Sequence, residues 1–292
     1  MRVTAVEVPT RVLVFGMARA DGTIDAAALY DVADACGQSS EQVRSCLRRL
    51  VTEGLLKRDG AGRQATFHST AAGDELRIES LERHELALRQ DRRGQGWDGR
   101  WHMAAFAVPE DHRPARDRLR EQLIDAGGAA VNNGLYVSPR PWEDQVREVA
   151  EGLDVADHLT LAACDGLSVG GISRPRDLAR VLWPMDALAA SYEAFVAEHR
   201  HVVALLKGLR QRRGRISDRD FLPGALAMMV AFQQVFVQDP LLPPELLPRP
   251  WPGRAARDLL VTSRRLALPL RAEHERPALF AAAFDRLVDR AL

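Results

Sequence analysis

Apolar positions in the first seventy residues recur first at helical spacing and then at the spacing of a short hairpin. Residues 11–20 read as a helix closed by the Asp21-Gly22 turn, and residues 26–35 as a second, with Leu29, Val32 and Ala33 on one side. Gly37 follows, where a left-handed residue often ends a helix. Ser39 or Ser40 is placed to cap a third helix, SEQVRSCLRRLVTEG, by accepting from the free amides of its first turn. There Val43, Cys46, Leu47 and Leu50 fall at i, i+3, i+4 and i+7, which is one apolar stripe. Glu41, Arg44, Ser45 and Arg48 fall on the opposite side, flanked by Gln42 and Arg49. Leu55-Leu56-Lys57-Arg58, a Gly-rich tip ending at Arg63, and residues 64–68 read as strand, turn and strand. Helix, short Gly turn, helix and basic hairpin together predict a winged helix-turn-helix.

The pattern changes after residue 92. Residues 70–92 read as one charged helix, broken by Gly94 and Gly96. Residues 101–108 read as a buried strand, 114–126 as a helix, 130–137 as a strand with Asn132-Asn133-Gly134 inside it, 142–151 as a helix and 158–164 as a strand. That alternation predicts a small ferredoxin-like α+β sandwich. Beyond it the chain is helical over 174–182, 185–208 and 222–237, and a proline-rich elbow covers 239–253. The prolines there remove amide donors and exclude regular helix. A helix over 255–267 and another at the chain end complete the reading. The predicted fold class is α+β in three parts: a winged-helix domain with its linker helix over 1–92, a ferredoxin-like domain over 97–172 and a helical domain over 173–292.

Charge localises the chemistry. The 292-residue chain has a formal net charge of zero. Residues 39–68, however, hold six basic and three acidic residues. Arginine on an exposed helix face can meet phosphates or pair with guanine, and glutamine can read adenine. Arg58 and Arg63 sit where the hairpin would touch a minor groove or the backbone. The expected DNA-binding set is Ser40, Gln42, Arg44, Ser45, Arg48, Arg49, Arg58 and Arg63. The other reading of this module is a protein-binding winged helix. The three scattered cysteines Cys36, Cys46 and Cys164 form no disulfide or zinc pattern and fit a reducing cytoplasm. The N-terminus does not read as a signal peptide. Residues 221–237 fall short of the ~20 apolar residues of a membrane span and read as a buried helix.

Several stretches resemble the PaaX-type regulators, the family of phenylacetic-acid-degradation repressors. Residues 44–50 (RSCLRRL) followed by Glu53-Gly54-Leu55 resemble the family's recognition helix, and Gly62-Arg63 with Ser69-Thr70 its wing. The WDGRW motif at 97–101, with Phe106 and Pro109-Glu110, resembles the entry to its central domain, and 134–139 (GLYVSP) a central strand. DPLLPPELLP at 239–248, with Trp251-Pro252-Gly253, resembles its C-terminal elbow. The resemblance implies a Cas2-like middle domain, a homodimer on a palindromic operator in double-stranded DNA, and release by an aromatic acyl-CoA, phenylacetyl-CoA foremost. One departure stands out. Members tend to carry Asp after the Phe of the first central strand, and this chain has Ala107, which argues against metal-dependent nuclease chemistry.

The remaining candidates are weaker. Trp183, Arg249 and Trp251 combine aromatic and cationic groups in apolar surroundings, the mix an acyl-CoA requires, so they are the candidate effector residues. Their other reading is as plugs between helices. Met228, Met229, Phe232 and Phe236 read as core or dimer interface. His199 and His201 would face about 200° apart on a helix and make a poor metal pair, while His102 and His158 read as structural. Ser168-Val169-Gly170-Gly171 lacks a phosphate-loop lysine, and no GxSxG elbow occurs. No catalytic, cofactor or metal residue is expected. The competing function is an acyl-CoA-processing enzyme with an appended winged helix.

Overall fold

Capping and stripe burial shape the first elements of the chain. The computed structural model describes residues 7–19, 21–93 and 96–270. Helix α1 (Thr10–Gly16) leads into the short strand β1 (Thr23–Asp25) and helix α2 (Ala26–Ala35). Asp25 starts α2 by accepting from the amide of Ala28 at 2.7 Å. Gly37 then turns the chain with φ +73°, a conformation that a Cβ disfavours, and α3 (Ser40–Thr52) begins. Strands β2 (Leu56–Asp59) and β3 (Thr66–Ser69) form the hairpin. The three strands make an antiparallel sheet in the order β1-β3-β2, with Phe67 of β3 opposite both Ile24 and Arg58. Helix α4 (Ala71–Arg93) follows.

The next segment runs β4 (Trp101–Phe106), α5 (Arg113–Asp125), β5 (Ala129–Asn132), β6 (Leu135–Ser138), α6 (Glu143–Gly152) and β7 (Leu159–Cys164). Its four strands are antiparallel in the order β5-β6-β4-β7. The sequence pattern suggests one strand over 130–137. The chain instead folds back at Asn133, where Asn132 accepts from the amide of Gly134 at 3.0 Å, and two paired strands result. Asn-Gly is a strong hairpin signal, and here Gly134 is needed for space, since a Cβ there would lie 2.8 Å from the Phe106 carbonyl oxygen. Helices α5 and α6 pack on the sheet through Leu119, Leu123, Val146 and Ala150, against Ala104, Phe106 and Tyr136. Gly128 makes room for the Trp142 ring, since a Cβ there would lie 2.4 Å from it.

Helices α7 (Pro175–Leu182), α8 (Met185–His199), α9 (His201–Gln211), α10 (Asp218–Phe236) and α11 (Pro252–Ala267) complete the described chain. The single helix expected over 185–208 is two, divided at Arg200. At the break the His199 ring bonds the Phe195 carbonyl (3.0 Å) and the His201 ring the Glu198 carbonyl (2.8 Å). Side chains that take up ladder carbonyls in this way mark where helices break or kink. The elbow between α10 and α11 is held by specific bonds. Asp239 accepts from the Leu241 amide at 2.8 Å, and Arg176 donates to the Glu245 carbonyl at 3.0 Å. The helix expected at the chain end lies outside the described residues. Among the described residues, no helix is long and apolar enough to cross a membrane.

The chain divides into two compact units. One draws on the chain before Arg89, on Tyr192–Phe236 and on the chain from Gly253, and the other on Arg89–Ser191 and Val237–Pro252. In the first, Leu222, Leu226 and Val230 of α10 join the core built by Leu13, Ile24, Leu29, Val43, Leu50 and Leu56. Further along α10, Phe232 lies 5.6 Å from Phe195 and 6.3 Å from Tyr192 of α8, and Phe236 lies 4.3 Å from His84 of α4. In the second unit, Trp101 stacks on Trp183 at 6.4 Å.

Candidate nucleic-acid interface

Helix α3 owes its start to a reciprocal cap. The Ser39 hydroxyl accepts from the Gln42 amide at 3.2 Å, and the Gln42 side-chain oxygen accepts from the Ser39 amide at 2.7 Å. Two of the four free donors at a helix start are satisfied at once. Val43, Cys46, Leu47 and Leu50 are all buried, so the stripe expected from sequence faces the core. Ser40, Gln42, Arg44, Ser45, Arg48 and Arg49 are all exposed on the remaining faces. The helix therefore offers solvent three guanidinium groups on a rigid, packed base.

The charges on α3 are loosely held. Glu41 lies 3.5 Å from Arg44 and 3.6 Å from Arg48, and all three side chains are more than half exposed. Exposed pairs of this kind contribute about 1 kcal/mol or less and exchange readily for other partners. Arg11 and Glu53 pair at 3.0 Å at the far end of α3. In the hairpin, Lys57 and Arg58 are exposed on β2. Arg63 lies in the turn between β2 and β3, where its guanidinium sits 5.8 Å from the centre of the Tyr30 ring on α2. That cation–π contact lends the turn a preferred position.

The structure thus brings all eight expected residues into one unit, six on α3 and two on the hairpin. Sequence reasoning assigns Gln42 to base reading and does not see its place in the cap, although Ser followed three residues later by Gln is the signature of that box. It also misses Arg219 of α10. This side chain donates to the Asp31 carboxylate and, at 2.7 Å, to Asp34, both on α2. No local sequence pattern connects residues so far apart in the chain.

The candidate effector residues lie in the other unit. Trp183 is buried, and its indole N–H donates to the Gly127 carbonyl at 3.1 Å. Arg249 is exposed and Trp251 half-buried. Among the described residues, no group of three His, Cys, Asp or Glu side chains could hold a metal ion.

A model of the PaaX protein central Cas2-like domain matches residues 94–179, and a model of the PaaX-like protein C-terminal domain matches residues 183–275. The curated protein Transcriptional repressor PaaX of Escherichia coli strain K12 is 27% identical over 251 residues, covering 85% of this chain and 75% of that protein. Among solved structures, the uncharacterized protein Rv0674 from Mycobacterium tuberculosis superposes with a TM-score of 0.58 at 21% identity, covering 88% of this chain and 93% of that one. This last likeness concerns the fold alone.

Proposed function

Because this chain belongs to the PaaX family, we propose that it is a transcriptional repressor whose N-terminal segment is a winged helix-turn-helix that binds operator DNA. The observation that carries the reading is the exposed face of α3. A capped, well-packed helix presents Arg44, Arg48 and Arg49, with Arg58 and Arg63 on the hairpin beside it. In this proposal α3 is the recognition helix and lies in the major groove. Its arginines meet guanine edges and phosphates, Ser40 and Ser45 donate to nearby acceptors, and the free amide donors of Gln42 remain available to a base. The hairpin follows the backbone as a wing.

The protein acts as a homodimer on a palindromic site, since two-fold symmetry in the protein imposes it on the operator. A ferredoxin-like middle domain over 97–172 and the helical remainder carry the regulatory function. The effector is an aromatic acyl-CoA such as phenylacetyl-CoA. Its proposed contacts are Arg249 for phosphate and Trp251 and Trp183 for the acyl wall. Bound effector lowers operator affinity by its preference for the form that does not bind DNA.

The test is an anisotropy titration of the full-length protein against the DNA upstream of its own gene, with and without phenylacetyl-CoA. Tight, salt-sensitive binding weakened by the thioester is expected. Binding indifferent to the thioester would remove the effector from the proposal, and no binding by folded protein would remove the proposal itself.

A further inference from the structure

A second cationic surface lies outside the residues discussed so far. Residues 207–215, the end of α9 and the loop into α10, carry Lys207, Arg210, Arg212, Arg213 and Arg215 and no acidic residue. All five are exposed. Among the described residues, none of the five side chains has a carboxylate partner. Other arginines are matched: Arg116, Arg147 and Arg180 each lie 2.7–2.8 Å from an acid. A chain of zero net charge has therefore gathered five unmatched cations into nine residues, more than the surplus of three across 39–68. Self-repulsion opposes such a cluster, and an anionic partner relieves it.

Its position indicates the partner. Arg215 is four residues from Arg219, at most about 14 Å of chain. Arg219 is bound to Asp31 and Asp34 of α2, and Leu222 and Leu226 lie in the core shared with Leu29 and Val32. The loop is thus anchored beside the first helix of the proposed helix-turn-helix, the helix that crosses the DNA backbone in such modules. The Arg219 pairs also neutralise two α2 carboxylates that would otherwise repel phosphate. The stretch is cationic and has no aromatic side chain, so it suits phosphates rather than bases. Five cations spread along a helix end and the loop after it match a polyanion better than the few phosphates of a small ligand.

We propose that the end of α9 and the α9–α10 loop form a second phosphate-binding surface, which grips the backbone of the same duplex outside the base pairs read by α3. This rests on the DNA-binding reading. It adds that regulator affinity is set in part by C-terminal residues remote from α3 in sequence.

The test compares wild type with the variant Lys207→Gln/Arg210→Gln/Arg212→Gln/Arg213→Gln/Arg215→Gln on the upstream DNA, across a series of salt concentrations. A second variant, Arg212→Gln/Arg213→Gln, covers the case in which five changes disturb folding, which circular dichroism checks. The expected result is a plot of log K against log salt that is shallower by about 0.9 for each phosphate no longer neutralised, roughly 2 to 4 for the quintuple variant. DNase protection is expected to shrink at its outer edges. Wild-type slope and footprint in both folded variants would overturn the proposal. So would unchanged DNA binding with loss of coenzyme A binding, which would assign the loop to a small phosphorylated ligand. If Arg44→Ala/Arg48→Ala abolishes binding while both folded loop variants keep the wild-type salt slope and footprint, the recognition-helix reading stands and this one falls. If wild type binds no DNA, both fall.

Discussion

His102 shows how one side chain ties the second unit together. It is 5% exposed, near the start of β4. Its Nδ1 lies 2.6 Å from Glu143 of α6 and its Nε2 3.1 Å from Asp98. Burial raises the pKa of each carboxyl, but hydrogen bonds outweigh it. The Arg100 amide and His102 hold Asp98 below the usual carboxylate range, and His102 with the amides of Glu143 and Trp142 does the same for Glu143. Both acids are thus depressed in the folded state. Their stabilisation is present above the unfolded values and is lost as pH falls through the folded ones, a window beginning near pH 4 and extending below it. The stability gap between wild type and His102→Gln is therefore expected to be level from about pH 6 down to about pH 5 and to narrow as pH falls through about 4 to 3 in urea titrations. A gap independent of pH would show that His102 acts by packing alone. Ser39 makes the second prediction at this scale. Ser39→Ala removes one half of the capping box and is expected to cost about 1 kcal/mol in the same assay. The serine is legible in the sequence as a cap. Its partner Gln42 reads there as base chemistry, because an exposed glutamine fits both roles.

Among elements, those defined by short-range rules are the legible ones. Helix α2 starts at Ala26 and ends at Ala35 as expected, because Asp25 caps it and Gly37 supplies the turn after it. The α3 stripe is buried as its periodicity requires. The departures occur where two rules compete. The segment 130–137 carries β-prone residues on both sides of Asn-Gly, and the turn signal wins. The segment 185–208 carries an unbroken helical pattern without Gly or Pro before Gly208, and histidine side chains at the ladder carbonyls mark its division. For α3 itself, Arg44→Ala and Arg48→Ala are each expected to weaken DNA binding and to reduce the salt slope by about 1 if they touch phosphate. If one of them reads guanine, its loss is expected to cost about 1–3 kcal/mol and to relax preference at that base pair. Competition with duplexes altered one base pair at a time separates the two.

At the scale of the molecule, sequence order hides the assembly. The N-terminal helices share a core with α10, more than 150 residues downstream, through Leu222, Leu226 and Val230. Hydrophobic periodicity reports that a helix has a buried face and says nothing of which partner covers it. The run over 221–237 is legible as a buried helix for this reason, while its partnership with α1 and α2 is not. Leu226→Ala opens a cavity in that shared core and is expected to cost about 2–5 kcal/mol. Thermal melts of the variant should show the N-terminal elements losing stability with it. An N-terminal unit melting as in wild type would contradict the shared core.

The most direct test of DNA recognition through α3 is equilibrium binding of the full-length protein to the duplex upstream of its own gene, at about 0.05 and 0.2 M salt, beside the folded double variant Arg44→Ala/Arg48→Ala. The account predicts tight wild-type binding that weakens steeply with salt, and loss of that binding in the variant while an unrelated duplex is held weakly by both. Equal affinity of wild type and variant for the upstream duplex would contradict it.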